Sequence, residues 1–309
     1  MYDLAIIGGG PAGAAAAVYA ARKRLKTAFV AEVMGGQSTD SLEIQNWIGT
    51  EKISGADLAK SFEAHVRAYA GEIVDLHIGE RAEEAIKSAN GFSVKTNVGT
   101  YEAKSLLVVT GGSRRKLEVP GAAEFENKGV VYCASCDGPL FSGQNVVVVG
   151  GGNAGFETAQ QLLAYCPSVT LVHRNADFAK ADPATVATVL AHPNMHVLTN
   201  STPTEVKGKT FVSSIVVQNK ETGAVTEVPA AGVFVEVGAL PATMFVRDLV
   251  TVDPIGHIKT DPRNQRTSVE GVWAAGDCTD GLYHQNNIAA GDAVRALEDI
   301  FYWLKSRTS

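Results

Sequence analysis

The sequence predicts an α/β fold built around two similar strand–turn–helix units, and three observations lead there. Leu4–Gly13 (LAIIGGGPAG) and Val146–Gly155 (VVVVGGGNAG) carry one pattern, a short apolar run followed by G-G-G-x-A-G, at an offset of 142 residues from Gly8 to Gly150. Each run reads as a buried parallel strand, and an alanine-rich or amphipathic helix follows it. The length of 309 residues matches about two domains at roughly 150 residues each.

Composition narrows the class. Hydrophobic residues are 45% and charged residues 19%, which excludes a disordered chain and allows a sizeable core. Lys and Arg number 27 against 33 Asp and Glu, a net charge of −6. That balance argues against nucleic acid or anionic membrane as a partner. Glycine, at 31 residues, exceeds the usual ~7%, so tight turns and close backbone approaches are expected. Four cysteines in this length do not make a disulfide scaffold. Leu4–Ala21 is uncharged, but Asp3 stands where a signal peptide is basic, and Gly8-Gly9-Gly10-Pro11 breaks any spanning helix. A cytoplasmic protein is expected.

In chain order, the first apolar strand and its helix lead to a second strand, Thr27–Ala31. Leu58, Phe62 and Val66 mark one helix face, and Phe92, Val94, Thr96 and Val98 alternate like a strand leading into Leu106–Val109. After the second glycine-rich unit come a strand at Val169–Val172 and strand-like runs at Val233–Val237 and Val272–Ala275. The last helix runs from about Asn287 to Leu304, with Val294, Leu297, Phe301 and Leu304 on one side. Pro120-Gly121 and Leu240-Pro241 are read as crossings between domains.

The chemistry starts at Gly8-x-Gly10-x-x-Gly13. The first glycine makes the tight turn, the second lets backbone approach a pyrophosphate, and the third packs helix on strand. The N–H groups opening the helix then hold the phosphate charge. Glu32, nineteen residues after Gly13, ends the second strand, where a carboxylate accepts both ribose hydroxyls of an adenosine. Near the C-terminus, Gly276-Asp277 ends a strand and offers a carboxylate to ribityl or phosphate-linked hydroxyls. The last helix begins at about Gln285–Asn287, and its positive end suits an anionic reduced flavin. An FAD site is predicted.

Cys133-Ala134-Ser135-Cys136 precedes the second unit. Zinc needs two more ligands at pair spacing; Cys166 and Cys278 are isolated, and neither has a His at a suitable short spacing. No metal is expected. A two-residue spacer allows dithiol and disulfide to exchange reversibly, and Asp137 follows as an acid placed to move the thiol proton. Cys166 and Cys278 read as small core residues.

These residues make the chain resemble the low-molecular-weight thioredoxin reductases over essentially its whole length. It is also similar to the reductase part of the flavoprotein subunit of alkyl hydroperoxide reductase. The motifs, in order, are Gly8–Gly13, Gly35–Gln37, Glu43–Trp47, Thr110–Gly112, Cys133–Gly138, Gly150–Gly155, Ala274–Asp277 and Tyr283–Gln285. Cys136–Phe141 (CDGPLF) is closer to the second relative, but this chain opens at its first strand, without that relative's thioredoxin-like domains.

The resemblance implies two Rossmann-like dinucleotide-binding domains, one inserted into the other. The FAD domain is discontinuous, at residues 1–115 and 245–309, and the NAD(P)H domain with the C-x-x-C occupies 116–244. It implies FAD contacts from Gly8, Gly10, Pro11, Ala12, Gly13, Glu32, Gly36, Gln37, Asn46, Thr110, Gly111, Gly276, Asp277, His284, Gln285 and Asn286. It implies nicotinamide-nucleotide contacts from Gly150, Gly152, Asn153, Ala154, Gly155, His173 and Arg174. The implied chemistry is electron flow from NAD(P)H through FAD to the Cys133–Cys136 pair and on to a small thioredoxin-like protein. Cys136 faces the flavin, Cys133 attacks the partner, Asp137 supplies a proton, and the inserted domain of a homodimer rotates between two half-reactions. A ferredoxin-fed reductase, a dithiol oxidase using oxygen, and a non-enzymatic flavoprotein sensor are the competing readings; the three glycines of the second turn favour a nicotinamide reductase.

Arg174 lies nineteen residues after Gly155, as Glu32 lies nineteen after Gly13. A guanidinium there pairs with a 2′-phosphate where a carboxylate repels it. The family pattern of three arginines is reduced to one, since Asn175 and Ala179 replace the other two; Lys180 supplies a nearby charge. A weakened NADPH preference is expected, with NADH also usable.

Overall fold

The structure, a computed structural model, describes residues 1–307. The chain divides into two compact units, Met1–Ser113 with Ala239–Ser309, and Arg114–Gly238. The first stretch holds β1 (Tyr2–Ile7), α1 (Pro11–Arg22), β2 (Thr27–Ala31), α2 (Gly55–Ala70), β3 (Val74–Ile78), β4 (Ala82–Ser88), β5 (Gly91–Thr96), β6 (Thr100–Val108) and β7 (Gly112–Arg114). The inserted unit holds β8 (Val130–Val131), α3 (Ala134–Asp137), β9 (Asn145–Val149), α4 (Asn153–Leu162), β10 (Ser168–Val172), α5 (Pro183–Leu190) and β11 (Met195–Leu198). It continues through β12 (Ser201–Gly208), β13 (Val212–Asn219), β14 (Val225–Pro229) and β15 (Gly232–Val235). The chain returns through β16 (Ala239–Pro241), β17 (Val272–Ala274) and α6 (Asn286–Ser306).

In the first unit the strand order β3-β2-β1-β6 is parallel, β17 joins β6 in parallel, and β5 and β4 extend the sheet antiparallel. Because successive side chains of a strand face opposite ways, β1 divides its apolar run. Leu4 and Ile6 join α1, α2 and α6 in one core, while Ala5 and Ile7 join Val94, Val246 and Ile258 in another. Burial on both faces is why this strand reads as an unbroken apolar run. The alanines Ala16, Ala17 and Ala20 of α1 are fully or almost fully buried.

The inserted unit repeats the plan. Its parallel sheet has the order β11-β10-β9-β15-β8, and β12-β13-β14 form a separate antiparallel sheet. Val146 and Val148 of β9 face α4 residues such as Phe156 and Leu162; Val147 and Val149 face Val206, Ile215 and Val217.

Three expectations differ from the structure. Pro120-Gly121 is not a crossing but a packed part of the inserted unit. The Val206 N–H donates to Pro120 O at 2.9 Å, and a Cβ on Gly121 would lie 2.0 Å from Val206 O. The crossings fall after Ser113 and before Ala239, against the 115 and 244 that the resemblance implies, and β7 and β16 at the crossings pair as a two-stranded sheet. Val98 does not continue the strand: β5 ends at Thr96, whose hydroxyl accepts from the Val98 and Gly99 N–H groups and turns the hairpin.

Candidate active site

The first glycine-rich turn joins β1 to α1 at the C-terminal edge of the parallel strands. Gly8 has φ +129, a conformation open to glycine. A Cβ on Gly13 would lie 1.9 Å from Gly8 O, so α1 can pack this close only on glycine. The α1 N-cap, Gly10, has no side-chain cap and no acidic residue sits in the first turn, leaving N–H groups for an anion.

These groups open onto a cavity of about 460 Å³ wholly within the first unit. Gly8, Gly10, Pro11 and Ala12 line it from the turn, and Glu32 from the end of β2. Gly36, Gln37, Thr110, Gly111, Gly276, Asp277 and Asn286 line the rest. Gly13, Asn46, His284 and Gln285, also expected at the cofactor, do not line it. Gly13 packs behind the turn. Asn46 and Gln285 bond each other, with the Asn46 amide donating to Gln285 Oε1 at 3.2 Å, and the Asn287 amide donates to Asn46 O at 2.7 Å. Their contact fastens residues 46–48 to the start of α6 beside Asn286, which in turn accepts from the Ser38 hydroxyl. His284 has a buried Nε2 with no hydrogen-bond partner among the described residues.

The sequence did not point to Glu80, Arg81 and Ala82, which reach the cavity from the β3–β4 connection, nor to Met244 and Phe245. The parallel pairing of β3 with β2 brings the first three there. A strand signal at Val74–Ile78 would have found them. An anion-receptive turn, two carboxylates for hydroxyls and a largely apolar lining suit a dinucleotide cofactor of the FAD type.

Cys133 and Cys136 form a disulfide across the one-turn helix α3. Cys136 N–H donates to Cys133 Sγ at 3.2 Å, and Asp137 N–H to Cys133 O at 3.0 Å. Burial pushes the Asp137 carboxyl up to about 6, against the opposing pull of the Arg114 guanidinium. Arg114 itself pairs with Glu236 at 3.3 Å, and the Thr158 hydroxyl donates to the other Glu236 oxygen at 2.8 Å. Burial raises Glu236 as well. Asp137 thus shares one cation with a second buried acid and holds its proton to unusually high pH. Arg114, Thr158 and Glu236 were not singled out in the sequence, because they meet only through the crossing strands and α4. Cys166 and Cys278 are free and buried, as expected of core residues.

The second glycine-rich turn joins β9 to α4. Gly150 has φ +125, and a Cβ on Gly155 would lie 1.8 Å from Gly150 O. Gly152 is the α4 N-cap without a side-chain cap, Asn153 and Ala154 open the helix, and the Asn153 side chain accepts from Asp182 N–H at 2.7 Å. His173 stands at the end of β10 with Nδ1 accepting from Gly151 N–H at 3.1 Å, under Phe178. Burial holds His173 below the usual imidazole range, which favours the neutral ring that this bond needs. Arg174 follows it, exposed. The structure therefore places Gly150, Gly152, Asn153, Ala154, Gly155, His173 and Arg174 around one turn, in the unit that carries the disulfide.

Among the described residues no cluster of three or more metal-ligating side chains is gathered, and no helix is long and apolar enough to cross a membrane. A family model described as pyridine nucleotide-disulphide oxidoreductase matches residues 2–293. The chain is similar to thioredoxin reductase from Streptococcus pyogenes (35% identity, 99% of each chain, TM-score 0.90). It is likewise similar to that from Giardia duodenalis (32% identity, 98% of this chain and 99% of that one, TM-score 0.93). Among curated proteins it is similar to an alkyl hydroperoxide reductase component of Xanthomonas campestris pv. phaseoli (40% identity over 308 residues, 97% of this chain). A protein of Bacillus subtilis named NADH dehydrogenase is 38% identical over 307 residues, 98% of this chain. The chain spans 56% and 58% of the lengths of these two curated relatives.

Proposed function

The chain belongs to the pyridine nucleotide-disulphide oxidoreductase family, and we propose that it is an NAD(P)H-dependent flavoprotein oxidoreductase that reduces the disulfide of a separate small thioredoxin-like protein. The observation that carries this is the Cys133–Cys136 disulfide in the same unit as the second glycine-rich turn. FAD bound by the first unit would supply the two-electron relay between the nicotinamide donor and this disulfide.

The chain's own residues then divide the work. The N–H groups after Gly10 and Gly152 receive the two pyrophosphates; Glu32 and Asp277 accept cofactor hydroxyls. Once reduced, the pair exchanges with the acceptor. Cys133 thiolate attacks one sulfur of the acceptor disulfide, and the displaced acceptor thiolate takes a proton from Asp137. Cys136 thiolate then attacks Cys133 Sγ in the mixed disulfide, expelling the acceptor's second sulfur as a thiolate that is protonated from solvent and re-forming the intramolecular disulfide. The net change is NAD(P)H, a proton and a disulfide giving NAD(P)⁺ and a dithiol. Arg174 favours NADPH, and the missing arginines keep that preference small. A homodimer in the cytoplasm completes the reading and rests on the likeness to thioredoxin reductases.

Anaerobic titration with NADPH and with NADH tests the donor: bleaching of the flavin by either supports the reading, and bleaching by neither favours a ferredoxin-fed enzyme. Turnover of a thioredoxin disulfide should vanish in Cys133→Ser and in Cys136→Ser. Parental turnover in Cys136→Ser overturns the scheme, and rapid oxygen consumption with small dithiols points to an oxidase instead.

A further inference from the structure

The turn that carries the redox pair is short. Its own backbone supplies Cys136 N–H (at 3.3 Å, shared with Cys133 Sγ) and Asp137 N–H to Cys133 O and Gly138 N–H to Ala134 O, too little to hold an isolated turn in water. While the disulfide is closed, the covalent ring holds it. When the ring opens, other contacts must do so, and one side chain is placed for that. Gln161, half-buried on α4, donates from Nε2 to Ala134 O at 3.1 Å and accepts at Oε1 from the Ser135 hydroxyl, also at 3.1 Å. Its amide therefore grips both residues between the cysteines. Gly138 backs onto the Tyr165 ring beyond the same helix, where a Cβ would lie 2.2 Å from Tyr165 Oη.

We propose that Gln161 is a positioning residue for the redox pair, holding the opened turn so that the Cys136 N–H stays aimed at Cys133 Sγ. The inference rests on the reading of Cys133 as the attacking thiolate. A hydrogen bond from N–H stabilises a thiolate more than a thiol, so the grip keeps Cys133 ionised and reactive at neutral pH. The titratable groups around the turn are Asp137 within it, Arg114 facing Asp137 from β7, Glu236 paired with Arg114 after β15, and Tyr165 against Gly138. On the side from which the chain enters, Lys116 sits over the ring of Tyr132. Gln161 is uncharged, so replacing it with Leu leaves the formal charges around the turn unchanged.

The test uses the whole protein, chemically reduced and freed of reductant, and needs neither nicotinamide nor acceptor. The rate of Cys133 alkylation by iodoacetamide is followed against pH by peptide mass spectrometry, with thermal stability measured alongside. In Gln161→Leu the profile should move to higher pH, with alkylation at neutral pH slowed about three- to tenfold, as loss of one ordinary hydrogen bond's worth of alignment implies. At high pH, where Cys133 is ionised in both proteins, the rates should converge. Gln161→Glu, which loses the donor and adds a negative charge, should shift the profile further. Ser135→Ala, an exposed change removing half of the grip, should shift it in the same direction by less, and it decides the matter if Gln161→Leu fails to fold. A parental profile in Gln161→Leu, or in Ser135→Ala where that variant decides, overturns the proposal. Failure of the underlying reading is separate, since it shows as parental turnover in Cys133→Ser.

Discussion

The two glycine-rich turns are nearly the same object in backbone terms and differ in what surrounds them. Gly8 and Gly150 have φ +129 and +125; Gly13 and Gly155 each pack within 2 Å, at the Cβ position, of the oxygen of their own first glycine. Both helices lack a side-chain N-cap, and in both sheets the strand before the turn lies between the strand after the helix and a later one. The divergence begins at the end of the second strand. In the first unit Glu32 faces a formed cavity. In the second, the His173 ring lies over the turn and takes the Gly151 N–H, and Arg174 follows. The glycine spacing thus accounts for the shared fold of the two turns, and in the proposed function the residue following the second strand selects the nucleotide.

The largest test exploits the shared geometry. Gly13→Ala and Gly155→Ala each drive a methyl into backbone that cannot move away, at a cost of roughly 2–4 kcal/mol or more. Their outcomes should separate by unit. Gly13→Ala should purify without flavin, measured by absorbance. Gly155→Ala should stay yellow yet resist bleaching by NADPH. Flavin loss from Gly155→Ala with retention in Gly13→Ala would reverse the assignment of the two turns.

Asp137 sharpens the contrast from the chemical side, because the inserted unit alone pairs its nucleotide turn with a redox acid. A carboxyl raised from 3.8 to about 6 binds its proton more tightly folded than unfolded. Its contribution to stability is complete below pH ~4 and lost as pH rises to about 6. At roughly 1.4 kcal/mol per unit, the loss is up to ~3 kcal/mol. Asp137→Asn should therefore flatten the pH dependence of the melting temperature across that window and gain on the parent at pH 7. Disulfide exchange with the acceptor should fall about 100-fold or more, as loss of a general acid implies. An unchanged pH–stability curve in the variant would show that Asp137 titrates normally.

Arg174 gives a smaller effect and the most direct exchange of character between the turns. Arg174→Ala should lower the NADPH-to-NADH ratio of kcat/KM about tenfold, the low end for charged hydrogen bonds because the side chain is exposed. Arg174→Glu, which copies the carboxylate of the first unit, should carry the preference over to NADH. A parent that already favours NADH, or an unchanged ratio in both variants, would remove Arg174 from the nucleotide site.

What was legible in the sequence follows the same division. The strands β1, β2, β9 and β10 and the helices after the turns could be read because their residues are buried on both faces or spaced by the glycines. The strands β3, β4 and β11 to β14 carry polar residues and short runs, such as AEEAIKS in β4 and STPTEVKG in β12, and give no clear period. The cavity residues from the β3–β4 connection stayed hidden with them. Gln161, Glu236, Thr158 and Arg114 belong to a different class. Each is an ordinary helix or strand residue in sequence, and its meaning comes only from what the folded sheet and α4 bring within 3.3 Å. The insertion of one unit in the other came from the family likeness, since Pro120-Gly121, a strong turn signal, sits seven residues past the boundary at 113.

The middle glycines separate fold from ligand most finely. Gly10 and Gly152 have φ −74 and −95 with ψ near 180°, extended backbone open to any residue, and a Cβ built on either meets nothing within 4 Å. Nothing in the folded chain requires glycine there. A bound pyrophosphate does, because the second glycine of such a turn lets the backbone approach it. Gly10→Ala and Gly152→Ala should thus leave stability within ~0.5 kcal/mol of the parent in the absence of ligands, or raise it slightly by restricting the unfolded chain. The cost should appear only on binding: faster flavin release in Gly10→Ala, and a higher KM for NADPH at nearly parental kcat in Gly152→Ala, since uniform binding is what is lost. Ligand-free melts compared with flavin retention and steady-state kinetics read both quantities. If either variant destabilises the ligand-free protein by as much as Gly13→Ala or Gly155→Ala, the glycine serves the fold after all. If both bind their nucleotides as the parent does, neither turn holds a pyrophosphate at this position.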